Sequence, residues 1–182
     1  ATSLIIQAGV WKFIIDKDYG ALNTLLMKIG LISSPVNWTP TPQAYFAWEI
    51  FVGIFVTVPF VTFCVLSGLQ SIDNSYYEAA TVDGANYWQK LFKITLPLVK
   101  SSLTVSTVLN IIYVFNSFPI IWTITKGDPA SRTDTLVTYL YKLAFYKGKS
   151  GEAAAVSVIG FLILCICASV YMVLSLRKED ED

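Results

Sequence analysis

The sequence predicts an all-α polytopic membrane protein, and three observations lead there. Hydrophobic residues make up 54% of the 182 and charged ones only 14%, a balance far from that of soluble domains. Mean hydropathy is positive, at +0.57. Charges are absent from residues 50–72, 101–125 and 153–176, three windows each longer than the roughly 20 residues that cross a bilayer as a helix.

Composition also removes several classes of function. Thirteen basic against thirteen acidic residues leave no net charge, so nothing attracts a nucleic acid or marks a polybasic lipid anchor. Histidine is absent, which removes imidazole metal sites and His-dependent catalysis together. Cys64, Cys165 and Cys167 all lie in apolar runs. They read as small buried hydrophobes, with no metal site and no disulfide framework expected.

The elements follow in chain order. The opening residues 1–15, containing "SLIIQAGVWKFII", read as the end of a span, with Trp11 and Lys12 suited to interface depth. With no initial Met and no signal-peptide pattern, the chain reads as a fragment whose N-terminal spans lie upstream. Residues 16–46 form a connection in which "SSPVNWTPTPQ" is extended, proline-set loop. A span at 47–70 opens at Trp48 and carries Pro59 mid-way, a gating bend or a packing feature. A polar segment at 71–100 leads to a second span at 102–125, closed by Trp122. Residues 126–152 begin with turn chemistry at Gly127, Asp128 and Pro129. Leu136, Leu140 and Leu143 then recur at helical spacing in a segment too short to span, an interfacial or re-entrant helix. The last span is 153–176, and the tail "KEDED" is a solvated end.

Charge bias leaves the orientation open. Lys90, Lys93 and Lys100, with Arg177 and Lys178 beyond the last span, balance Lys126, Arg132, Lys142, Lys147 and Lys149 on the other side.

The segment 71–100 is where this greasy chain turns polar. Asp73 or Ser75 is placed to cap a short helix with Glu78 in its first turn, where a carboxylate favours the helix dipole. Asp83 and Gly84 break that helix, "ANYWQKLFKI" forms a second, and Pro97 marks the turn into the next span. Tyr76, Tyr77, Trp88 and Phe92 are more aromatic surface than a solvated connector needs, so the segment reads as a docking knob.

The order Glu78-Ala79-Ala80, Asp83-Gly84-Ala85, Phe92, Ile94, Leu96-Pro97 resembles the EAA loop of permease subunits of bacterial binding-protein-dependent ABC importers. "GALNTLL", "VNW", "GLQSID", "TKGDPASRTDTLVTYLYKLAF" and "GEAAAVSV" resemble the sugar-importing branch, of the maltose or glycerol-3-phosphate kind. The likeness runs from about Gly20 to Leu176. Ser101 and Ser102 replace a common proline, and Gly127-Asp128-Pro129 replaces Gly-Gly-Pro.

The resemblance implies a helical bundle of the ABC-importer permease type in the bacterial inner membrane, with the loop 71–100 and the C-terminus cytoplasmic and loops 16–46 and 126–152 outside. It implies that Tyr76, Tyr77, Glu78, Ala79, Ala80, Asp83, Gly84, Phe92 and Pro97 couple the chain to ATPase subunits. Its partners would be two ATP-binding cassette subunits, a second and non-identical permease subunit, an extracytoplasmic substrate-binding protein and membrane lipid. ATP-Mg would sit on the ATPase subunits, with no cofactor bound directly and no catalysis in this chain. Sugar-importing members meet substrate on two span faces, which here carry Gly53, Thr57 and Phe60, and Asn110, Tyr113 and Ser117 with Asn116 beside them. The other reading of such polar residues is a bond to a neighbouring helix. Import of amino acids or peptides is the alternative within this class. An ion-coupled secondary transporter is the alternative outside it, disfavoured because the three windows hold no ionisable residue.

Overall fold

The computed structural model describes residues 3–177, and no strand occurs among them. The acidic tail, with Lys178, lies outside the described residues. Helices α1 (Leu4–Ile14) and α2 (Ala21–Lys28) precede the long α3 (Pro42–Gln70). Pro42 suits the first position of α3 because no N–H is needed there, and the Thr41 hydroxyl accepts from the Ala44 N–H at 3.3 Å. Helix α3 continues through Pro59.

Next come α4 (Asn74–Val82) and α5 (Tyr87–Lys90), which passes through a π-helical turn at Leu91–Thr95 into α6 (Leu96–Leu98). Helix α7 (Lys100–Phe115) follows, bent by 60° from the arm Tyr87–Leu98. Pro97 offers no N–H to the carbonyl one turn back, which weakens the helix just where this bend occurs. The chain ends with α8 (Phe118–Ile124), α9 (Leu136–Tyr141) with a π-helical turn at Lys142–Tyr146, and α10 (Ser150–Arg177).

The second apolar window is not one helix, contrary to the span expected over 102–125. Helix α7 stops at Phe115, and α8 starts at Phe118 with Pro119 in its first turn. Continued as helix, Pro119 would press its ring on the Phe115 carbonyl and leave that carbonyl without a donor. Ending the helix and restarting it with the proline in the first turn removes both penalties.

The residues divide into two compact units, Ala1–Val56 with Val114–Ile163 and Thr57–Tyr113 with Leu164–Asp182. In the first, α1 packs on α8, and Ala8, Val52, Ile120 and Ile124 form a buried core flanked by Trp11, Tyr45 and Val56. Trp11 meets Phe51 and Phe55 edge-on, with ring centroids 5.0 and 5.1 Å away. Tyr141 joins α9 to α8 through Trp122 and Phe118, at 4.7 and 4.8 Å. In the second unit Gly68 lets α7 come close to α3, since a Cβ there would strike the Ser102 side chain. The hydroxyls of Thr104 and Ser175 join α7 to α10 at 2.5 Å. Only 6% of the apolar window of α3 and 11% of that of α10 is buried within the chain, which leaves their surfaces to lipid or neighbouring helices.

Candidate functional site

The knob between α3 and α7 is fixed at every backbone end. Asp73 caps α4, its carboxylate accepting from the Ser75 N–H at 2.8 Å. That bond holds the Asp73 carboxyl below the usual carboxylate range. At the other end Ala85 N–H donates to the Ala80 carbonyl at 2.9 Å and Gly84 N–H to the Thr81 carbonyl at 3.1 Å. This pairing closes a helix with a left-handed residue, and Gly84 supplies it at φ +74°. Helix α5 then opens on a reciprocal cap. Asn86 accepts from the Gln89 N–H at 2.9 Å, and the Gln89 side chain accepts from the Asn86 N–H at 2.8 Å.

Two bonds hold the arms of the knob together. The Tyr77 and Thr95 hydroxyls meet at 3.0 Å, and the Lys90 ammonium donates to the Thr81 hydroxyl at 2.7 Å. Tyr77 is therefore turned inward as a brace. Tyr76 and Phe92 are exposed, and Ala80 is buried while Ala79 is open. Glu78 is exposed but sits mid-helix, since α4 begins at Asn74 and has no acidic residue in its first turn. The dipole argument for Glu78 therefore fails, and Asp73 holds the N-terminal position instead.

Trp88 and Phe92 stack one turn apart at 6.2 Å with 63% and 60% of their surfaces exposed. Tyr87 lies edge-on to Trp88 at 5.5 Å and is exposed too. A contiguous aromatic stripe is thus left open on a braced polar segment, apolar area that none of the described residues covers. Asp83 and Pro97 are exposed at the ends of the two arms.

The polar positions of the spans do not all keep the arrangement expected of them. Asn110 and Tyr113 lie on α7, with the Asn110 amide donating back to the Ser106 carbonyl at 2.9 Å. Asn116 and Ser117 fall in the break after α7, so Ser117 does not continue the Asn110–Tyr113 face as the i+7 spacing predicts. Thr57 and Phe60 belong to the second unit and Gly53 to the first. Gly53 faces open space.

Sequence reasoning passed over two buried polar hubs, both in the first unit. Asn23 is 1% exposed. Its amide donates to the Lys17 and Val36 carbonyls at 2.9 and 2.8 Å, and its oxygen accepts from the Val36 N–H and the Trp38 indole at 3.2 and 3.0 Å. The signal was an asparagine inside the apolar repeat of "GALNTLL" followed by "VNW". The second hub centres on Glu49, 4% exposed, which accepts from the Thr125 hydroxyl at 2.5 Å. Thr125 also contacts the Thr133 hydroxyl at 2.9 Å and accepts from the Gly127 N–H at 3.0 Å, and Thr133 donates to the Asp128 carbonyl at 3.1 Å. Beside it the Lys142 ammonium lies 3.0 Å from the Asp134 carboxylate. Gly127 has φ +84°, and a Cβ there would fall onto that carboxylate. Glu49 was legible as the acid on α3 that immediately borders the charge-free window, where burial demands a partner.

Residues 4–178 match the family described as binding-protein-dependent transport system inner membrane component. The chain is 48% identical over 179 residues to a probable ABC transporter permease protein of Brucella suis, covering 98% of this chain and 62% of that one. It is 34% identical to the trehalose/maltose transport system permease protein of Thermococcus litoralis, over 99% of this chain and 60% of that protein. Among solved structures it is similar to a bacterial ABC transporter involved in import of the acidic polysaccharide alginate. There the TM-score is 0.83 at 25% identity, covering 96% of this chain and 61% of that chain. The chain thus spans about three-fifths of the length of these relatives.

Proposed function

We propose, since the chain belongs to the family of binding-protein-dependent transport system inner membrane components, that it lines the substrate path of an ATP-driven importer and is moved through its knob. The observation that carries this is the braced segment Asp73–Leu98, closed at each helix end yet presenting Tyr87, Trp88 and Phe92 to solvent. Rigid mounting with an open aromatic stripe is what a force-transmitting contact requires, because a floppy loop would absorb the motion.

In this reading the knob lies in the cytoplasm, in a cleft of an ATP-binding cassette subunit, and the C-terminus is on the same side. Two such subunits hold ATP-Mg and hydrolyse it, and this chain performs no catalysis. When they close on ATP, the knob is carried with them, and the arm Tyr87–Leu98 passes the displacement to α7 across the 60° bend. Exposed Glu78 pairs with a basic side chain of the cleft, while Tyr76, Trp88 and Phe92 fill its apolar part. A second, non-identical permease subunit completes the path, and an extracytoplasmic binding protein delivers the substrate. Likeness to the trehalose/maltose permease and to the alginate importer supports a saccharide cargo. Thr57, Phe60, Asn110 and Tyr113 are the path-lining candidates of the second unit, and Gly53, Asn116 and Ser117 those of the first.

Co-purification from membranes tests the coupling. A permease in which residues 76–92 are replaced by a Gly-Ser linker is expected to insert but to lose its ATPase subunits. Retained association at the wild-type ratio contradicts the docking role.

A further inference from the structure

The first unit contains a cleft of about 500 Å³ whose lining includes Lys17, Asn37, Tyr45, Ile124 and Asp128, within the size range of small-ligand sites. Its floor is apolar, with Ile124 buried and the Tyr45 ring half-buried, and its rim is polar and exposed. Among the described residues, the Lys17 ammonium, the Asn37 amide nitrogen and the Asp128 carboxylate on that rim make no hydrogen bond. Lys12 and Asp16 complete the charges of the lining, but Lys12 donates to the Thr123 carbonyl and Asp16 accepts from the N–H groups of Asp18 and Tyr19.

Each unengaged rim group stands on backbone gripped by a buried hub. Asn23 holds the Lys17 carbonyl and both backbone polar groups of Val36, next to Asn37. Thr133, bonded to Thr125 and through it to Glu49, holds the Asp128 carbonyl. Burying polar side chains has a cost that a connecting loop does not need to meet. What the two hubs achieve is to fix the backbone from which these three side chains project around the apolar floor, part of the preorganisation that lowers the entropy lost on binding.

We infer that this cleft receives a neutral saccharide on the face proposed above to be outside, before the sugar reaches the spans. This rests on the sugar-import reading. A sugar ring offers an apolar C–H face to the floor and hydroxyls that both donate and accept to Lys17, Asn37 and Asp128. Two lysines against two aspartates leave the lining without net charge, so a polyuronate gains no electrostatic attraction there.

The test uses the full-length permease assembled with its partners in lipid nanodiscs and a diazirine-bearing maltose as photoprobe. Labelled peptides are identified by mass spectrometry, and uptake of unmodified maltose and trehalose is measured in parallel in vesicles. Labelling is expected within 12–45 and 124–129, at least fivefold weaker in Asp128→Ala and in Asn37→Ala. Unmodified maltose is expected to compete and an alginate trisaccharide not to. Uptake by the wild type with no labelling there, or with labelling that both substitutions leave unchanged, overturns the cleft alone. Absence of maltose and trehalose uptake by the wild type overturns the neutral-sugar cargo, and the cleft with it.

Discussion

Residues 71–100 and residues 16–46 both connect apolar helices, yet they dispose of their tryptophans in opposite ways. In the knob the backbone ends are capped and the large aromatics Tyr87, Trp88 and Phe92 face outward. In the earlier connection the aromatic Trp38 turns inward and gives its indole N–H to Asn23, while Trp48 donates to the Trp38 carbonyl at 3.2 Å. The first region is braced with its aromatics outward, and the second is braced around the buried Asn23. Rigidity alone therefore does not reveal a docking element. What sets the knob apart is rigidity combined with a stacked aromatic stripe that the chain itself leaves uncovered, whereas the exposed Leu25, Ile29 and Leu31 of the earlier connection are single aliphatics.

Substitutions can break this contrast. Truncating the stripe, Trp88→Ala with Phe92→Ala, is expected to weaken binding of the ATPase subunit by at least 100-fold, about 3 kcal/mol. Thermal stability should stay within a degree or two, and titration of the purified subunits reads the affinity. Asn23→Ala should do the reverse. It leaves the Trp38 indole and the backbone groups of Val36 unpaired in a buried site, costing about 3 kcal/mol by thermal unfolding while ATPase affinity is unchanged. Gly84→Ala tests the turn that closes α4. A side chain at φ +74° costs about 1 kcal/mol, so coupling of ATP hydrolysis to uptake should fall several-fold without loss of insertion.

The smallest effect belongs to Asp73. Its pKa is lowered by the Ser75 hydrogen bond from an ordinary value of 3.8, so the cap is fully effective above that pH and is lost as acid takes the solution through the lowered value. The hydrogen-exchange protection factors of α4, taken relative to the intrinsic rate at each pH, should fall on that acidification in the wild type and stay constant in Asp73→Asn, which keeps a capping oxygen.

Much of this was legible in the sequence. The charge-free windows 50–72 and 153–176 fall largely on the long helices α3 and α10, because an apolar run of that length in lipid satisfies its backbone hydrogen bonds as helix. The turn at Gly84 was legible as well, since few residues other than glycine take a positive φ at low cost. The break at Asn116 was missed by weighing hydropathy over Pro119, whose ring decides locally where the window's average says nothing. The inward turn of Tyr77 was hidden because it depends on Thr95, eighteen residues away, meeting it across the knob. Glu49 and Thr125 lie further apart still, and only the fold pairs them.

The central claim is that the knob is the surface by which separate ATPase subunits move this chain. Hydrogen-exchange mass spectrometry of the full-length permease in nanodiscs, with and without those subunits, tests it most directly. Protection confined to peptides covering 76–92, deepening when ATP is added with a hydrolysis-blocked subunit, is the predicted result. Unchanged exchange across 76–92, with protection appearing in 16–46 or 126–152 instead, contradicts it.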